Sequence, residues 1–369
     1  MTKSSNSLSL EEWLALTAML AVMIVGFWQA NVALGSASIK ENSFTFSDFK
    51  EGRATASLGA QLDKNIPLRS ELIAWANAGR YLIARGAGEQ VRLGKDDWLF
   101  SVEELQYFPE ASRNEATRVA VLSQAASMLE ALGVDLVVAV VPDKSRMLQH
   151  MLSSGRHPDW NINRYKSIVD ALRLKNVTVV DLQSELSSDS AESALYYRTD
   201  THWNQAGAKR AALAVATQVK VLASDLPPTT FLTRATEASK ERPGDLMRMM
   251  GLADMPNWTR PRPDMETPDS TQKVDSSQPS GLFDEVNVSV VLVGTSYSLR
   301  GNFHGYLQQS LGAEVLNVAL DGGGFIQAVK AYLADESFQS AKPRVIIWEI
   351  PERAFSTPLT EQESKGLSF

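Results

Sequence analysis

The chain has 369 residues, of which 44% are hydrophobic and 21% charged, enough apolar content to bury a substantial core in one large domain or two ordinary ones. A net charge of −7 and the lack of any Lys/Arg run exclude the basic footprint of a nucleic-acid-binding protein. With no cysteine, a disulfide framework, a thiolate nucleophile and a Cys-ligated zinc or iron–sulfur site are excluded too.

Compartment is therefore read from the amino terminus. Residues 13–39 carry no charge, and the stretch WLALTAMLAVMIVGFW within them is almost wholly apolar. A hydrocarbon core about 30 Å thick takes roughly 20 helical residues, which 13–34 supply, with Trp13 and Trp28 suited to the interfaces. The expectation is an N-terminal transmembrane helix within residues 1–39, a signal-anchor holding the remainder on the periplasmic face of the inner membrane. Gly35 and Ala37 also fit a signal-peptidase site, and cleavage there leaves a soluble periplasmic protein. Both readings export the rest of the chain.

Residues 40–93 read as a polar stalk and an N-terminal helical region, with Pro67 marking a break. From residue 94 to 369 a single catalytic domain is expected. It opens with WLF, a helix at about 115–133, the strand VDLVVAVV, a helix at about 162–174 and the strand NVTVVDL. The rhythm resumes with NVSVVLVG, a helix near 303–312, EVLNVAL, a helix near 325–335 and RVIIWEI. Residues 253–285, rich in Pro, Asp, Ser and Thr and without apolar period, are expected to form an irregular surface insertion. Wholly apolar strands alternating with amphipathic helices give an α/β fold: a parallel sheet flanked by helices, with the two strand–helix stretches as its halves.

Chemistry in such sheets gathers at the carboxyl ends of the strands. Three segments offer it. In VVLVGTSYSLRGN a buried strand runs into Ser296 at a strand-to-helix turn, where a serine hydroxyl is exposed as a nucleophile or simply caps a turn. In YYRTDTHWNQAGA, Asp200 and His202 are two apart and face one way in extended backbone. A base held by a carboxylate is what a serine needs for activation. The plain alternative is that Asp200 or Asn204 caps the helix and His202 is merely packed. In VALDGGGF, Gly322, Gly323 and Gly324 allow backbone N–H groups to approach an oxyanion, or form a flexible turn. His150, His157 and His304 are scattered without metal-ligand spacing, and VVPDKSRM lacks the glycines of a phosphate loop.

Taken together, KDDWLF at 95–100, VVPDKSRM at 140–147, YYRTDTHWNQAGA at 196–208, VLVGTSYS at 291–298 and WEIPERAF at 348–355 resemble the alginate O-acetyltransferase family, over about residues 60 to 355. The resemblance implies an SGNH-hydrolase-like domain with permuted motif order: the Asp–His pair precedes the serine, is spaced Asp-x-His, and the serine turn reads Gly-Thr-Ser. It implies Ser296 as nucleophile, His202 as general base and then acid, and Asp200 as orienting carboxylate. No side-chain oxyanion donor matches the pattern; Gly322 and Gly323 are the backbone candidates and Asn302 a further one.

The implied activity is periplasmic transfer of acetyl groups onto hydroxyls of an exopolysaccharide, alginate or, as in some relatives, cellulose, through an acetyl-serine. Implied partners are a membrane-bound O-acyltransferase as acetyl donor, other polysaccharide-secretion proteins and the inner membrane. No metal, no organic cofactor and no nucleic acid is called for. Three other readings stay open: a polysaccharide acetyl esterase with the same triad, a metal-dependent phosphoesterase built on Asp200, His202 and His304, and a non-catalytic polysaccharide-binding scaffold. The net charge slightly favours a neutral glucan over a polyanion, although charge in the groove matters more than the total.

Overall fold

The structure is a computed structural model that describes residues 10–34, 45–65, 68–187, 194–274 and 288–366. Gly35, Ala37, Pro67 and the stretch 275–285 lie outside the described residues. Two compact units divide the chain, Met1–Asn77 and Ala78–Phe369.

In the first unit, helix α1 spans Leu10–Leu34, a short capped helix Phe46–Lys50 follows, and α2 spans Arg53–Asn65. Much of the apolar surface of α1 is open, with Trp13, Met23, Phe27 and Trp28 all more than half exposed. Among the described residues no helix is long and apolar enough to cross a membrane. The expected transmembrane helix is thus not established; what the structure describes is a 25-residue helix with exposed apolar side chains. Helix α3, Arg69–Ala84, leads into the second unit.

The first pair of strands there, β1 (Val91–Leu93) and β2 (Leu99–Ser101), forms an antiparallel ribbon. The WLF run therefore does not enter the main sheet. Five residues join the two strands, enough for a hairpin and far too few for the crossover that parallel pairing demands.

The main sheet is parallel and has the strand order β10-β9-β11-β3-β4. Its members are β3 (Asp135–Val141), β4 (Thr178–Asp181), β9 (Val290–Val293), β10 (Val315–Asn317) and β11 (Val345–Pro351). The two halves anticipated from the sequence meet at β11, the last strand in the chain, which pairs with β9 on one side and β3 on the other.

Alternating residues of these strands feed two apolar layers. Val137, Ala139, Val141, Leu292 and Ile347 face one way, toward α6 (Gln205–Leu222) and α7 (Phe303–Leu311). Val138, Val140, Val291, Ile346 and Trp348 face the other way, toward α4 (Ala111–Ala131), α5 (Arg164–Leu174) and α8 (Gln327–Ala334). Burial on both faces explains why the strands read as unbroken apolar runs. The connection after β9 leads to one edge of the sheet and that after β3 to the other, so a crevice opens at the carboxyl ends of the central strands.

Part of the stretch expected to be irregular is ordered. Strands β7 (Asp264–Glu266) and β8 (Asp269–Lys273) pair antiparallel with β6 (Lys240–Arg242) and β5 (Phe231–Ala235). These ribbons are polar and half-exposed, held by backbone bonds and side-chain carboxylates, which is why no apolar period announced them.

Candidate active site

At the end of β9 the chain turns sharply through Gly294, Thr295 and Ser296 into a short 3-10 turn, Ser296–Leu299. The turn is fastened from below by β11. The fully buried Glu349 carboxylate accepts hydrogen bonds from the Thr295 N–H at 2.8 Å, the Thr295 hydroxyl at 3.0 Å and the Ser298 hydroxyl at 3.0 Å. Gly294 is required by this approach, since a Cβ there would lie 2.7 Å from a Glu349 oxygen. Burial raises the Glu349 carboxyl above its ordinary range, against the opposing pull of the Thr295 N–H.

Asp200 and His202 stand on the loop before α6, which Asn204 caps by accepting from the Gly207 N–H. The Ser296 Oγ lies 2.7 Å from His202 Nε2, and His202 Nδ1 lies 2.5 Å from Asp200 Oδ1. An ionised carboxylate only accepts, so Nδ1 carries the hydrogen and Nε2 is left to accept from the serine. The Asp200 carboxylate also accepts from the His202 N–H at 3.0 Å, from Arg242 Nη1 at 2.9 Å and from the Asp245 N–H at 3.2 Å. Burial alone would raise the Asp200 carboxyl; the His202 bonds and the Arg242 guanidinium outweigh it and hold Asp200 well below its ordinary range.

Several supporting residues gave no signal in the sequence. Arg242 comes from β6 and stacks over Tyr197 with its guanidinium carbon 3.9 Å from the ring centroid. Asp264, from β7, accepts from the Arg198 N–H at 2.7 Å and the Thr199 N–H at 2.9 Å, and so shapes the loop just ahead of Asp200. Gly244 is needed there as well, because a Cβ would sit 2.1 Å from the Thr199 carbonyl oxygen. Tyr297 packs edge-on against His202 at 4.7 Å and donates its hydroxyl to the Thr201 carbonyl at 2.7 Å. Of these only Gly244, in the dipeptide Pro-Gly, carries a local signal by which a turn could have been found.

Ser296, His202 and Asp200 open onto a cleft of about 850 Å³ whose walls include Glu103, Arg242, Arg248, Arg300 and Arg353. Gly322 lines it too. Two other oxyanion candidates do not fit. The Gly323 N–H is taken by the Leu320 carbonyl at 3.1 Å in the turn of the glycine run. Asn302 points its Nδ2 at the Thr271 hydroxyl, 2.9 Å away, and does not line the cleft. His304 does not join Asp200 and His202: its Nε2 lies 2.7 Å from the Val315 carbonyl, on α7.

Asp200, His202 and Asp245 do offer ligand atoms within 4.8 Å of one another. A cation among them would meet the Arg242 guanidinium already seated on Asp200 Oδ2, and His202 Nδ1 is committed as a donor to Asp200. The cluster suits a relay of hydrogen bonds better than a metal ion.

Residues 91–352 match the family described as SGNH hydrolase-like domain, acetyltransferase AlgX. The probable alginate O-acetylase AlgJ of Pseudomonas putida is 35% identical over 270 residues, covering 71% of this chain and 69% of that one. The solved O-acetyltransferase domain of Pseudomonas putida AlgJ aligns with a TM-score of 0.65 at 32% identity, covering 74% of this chain and 94% of the domain. Pseudomonas aeruginosa AlgX aligns with a TM-score of 0.56 at 25% identity, covering 71% of this chain and 62% of that structure.

Proposed function

The chain belongs to the AlgX-type family of acetyltransferases with an SGNH hydrolase-like domain, and on that premise we propose that it transfers acetyl groups onto hydroxyls of alginate through an acetyl group carried on Ser296. The single observation behind the mechanism is the unbroken hydrogen-bond chain Ser296–His202–Asp200 at the mouth of a polar cleft. The acceptor is drawn from relatives named as alginate O-acetylases.

In the first step His202 Nε2 takes the Ser296 proton as Oγ attacks the carbonyl carbon of the acetyl donor. The tetrahedral adduct expels the leaving group, which receives that proton from His202. In the second, His202 draws the proton from a sugar hydroxyl whose oxygen attacks the acetyl-serine; collapse returns the proton to Ser296 and releases the acetylated sugar. Asp200 holds the imidazole in one tautomer and offsets the charge it gains. The Ser296 and Gly322 N–H groups are proposed as the oxyanion donors, Gly322 because it lines the cleft.

The same reading puts the protein in the periplasm, attached to the inner membrane through α1 and fed by a membrane-bound O-acyltransferase, beside other polysaccharide-secretion proteins. What supports attachment is the exposed apolar surface of α1. Attachment beside a donor raises its effective concentration.

The experiment is transfer from a small acetyl ester to oligomers of mannuronate and, in parallel, of cellobiose units, with release of free acetate recorded. Acetyl appearing on the uronate oligomer is the expected result. Acetyl on the glucan alone changes the acceptor, and free acetate alone makes the protein an esterase. Amino-terminal sequencing of the native protein should return the α1 segment in membrane fractions; a chain starting near residue 38 in the soluble fraction overturns the attachment.

A further inference from the structure

Lys144 follows β3 in the Pro-Asp-Lys segment and is fully buried. Its ammonium makes no ion pair among the described residues. Instead it donates to three main-chain carbonyl oxygens: Leu99 at 2.5 Å, Arg198 at 2.8 Å and Asp200 at 2.9 Å. The rings of Trp98 and Phe100 lie over it, each centroid 5.2 Å away. Burying an ammonium is costly, and what offsets it here is a full set of three carbonyl acceptors and two aromatic faces.

We infer that Lys144 is a positioning residue for the reaction: its three N–H bonds tie strand β2 to the 198–200 loop and set the main chain of Asp200, and through it His202, against Ser296. The match is numerical. An ammonium has three hydrogens and meets three carbonyl acceptors; a neutral amine has two hydrogens and turns a lone pair toward the third oxygen. Loss of one proton therefore removes one tie and replaces it with repulsion at the loop that carries the base.

The charged groups facing Lys144 are the carboxylates of Asp264, Glu104, Asp200 and Asp245. Burial pushes the ammonium down to about 8 and these carboxylates oppose it. The folded value lies below the unfolded one, so between the two the unfolded chain binds the extra proton and stability rises with pH. Activity is expected to fall over the range in which this contribution to stability grows.

The inference rests on the acetyl-transfer reading only where turnover is measured. The test therefore follows two rates on the full chain from about pH 6 to about pH 10: modification of Ser296 by a sulfonyl fluoride, seen as a mass shift on its peptide, and turnover of a small acetyl ester. In the unaltered chain both rates should fall as pH rises past about 8. Lys144→Met should react about 100-fold more slowly at neutral pH with KM little changed, and should lose the alkaline fall. Because the chain has no cysteine, Lys144→Cys alkylated with bromoethylamine while unfolded, then refolded, restores an amine that titrates below lysine's. Its rate should return and its alkaline fall should move to lower pH. Where Lys144→Met does not fold, the aminoethyl variant decides alone. A full rate in Lys144→Met, or an unmoved alkaline fall in the aminoethyl variant, overturns the inference. An unaltered chain that is modified at Ser296 but transfers no acetyl overturns the transfer reading and leaves the Lys144 comparison readable; one not modified at Ser296 overturns both.

Discussion

Ser296 is fastened by the central sheet itself, through the Gly294 turn and the buried Glu349 of the neighbouring strand β11, whereas the Asp200 carboxylate that orients His202 is fastened by pieces outside the sheet. Arg242 and Asp264 come from short polar strands, and the Asp245 N–H from a five-residue helix. The nucleophile thus inherits the rigidity of a packed core, while the base depends on a web of charged hydrogen bonds at its edge. Such a division leaves the histidine side the easier one to damage without unfolding the protein.

The comparison is tested most strongly where both sides act together. Ser296→Ala and His202→Ala should each lower kcat by about 10⁶-fold, and the double variant should be scarcely worse, because the two groups serve one step. Additive losses, measured as ester turnover, would separate them. Asp200→Asn should cost about 10⁴-fold in kcat through the wrong imidazole tautomer, with thermal unfolding showing a folded protein; an unchanged rate would reduce Asp200 to a loop fastener.

Asp264→Ala probes the web directly. It removes the acceptor for the Arg198 and Thr199 N–H groups, and should cost about 2 kcal/mol of stability and about 100-fold in rate, while touching neither Ser296 nor the sheet. A rate loss without any fall in the rate of Ser296 modification would mean that the loop serves acceptor binding and not the base.

The smallest effect is one of pH. The Asp200 carboxyl lies well below its ordinary value of 3.8 in the folded protein. The unfolded chain therefore takes up its proton first, and the stability that Asp200 contributes is present above that value and is lost as pH falls through the folded one. Thermal midpoints of the unaltered chain and Asp200→Asn should keep a constant gap at neutral pH and converge only in strong acid.

The two halves of the site were unequally legible for the same physical reason. A strand buried on both faces has to be apolar along its length, so β9 and β11 announced themselves, and Ser296 was marked by the end of the run. The resemblance in Asp-Thr-His-Trp marked Asp200 and His202, but nothing in KERPGD or PRPDMET distinguishes a carboxylate that shapes a loop from one that faces water. Lys144 and Glu349 were visible as residues of matched segments, yet burial of a charge is a property of the folded neighbourhood and has no periodicity. Asn302 and Gly323 looked plausible as donors because sequence proximity to a turn says nothing about which partner already holds an N–H.

The position of β11 has a consequence for assembly. As the chain emerges from amino to carboxyl terminus, β3 and β4 appear early and β9 and β10 much later, and no strand joins the two pairs until residues 345–351 arrive. Until then both β3 and β9 present open apolar edges, and the serine turn lacks the carboxylate that fastens it. The clasp between Arg118 of α4 and Glu363, 2.9 Å apart and buried, closes later still. Catalytic competence is thereby timed to completion: a nascent or truncated chain lacking the final strand has a serine turn without its Glu349 fastener and a sheet left as two unjoined pairs.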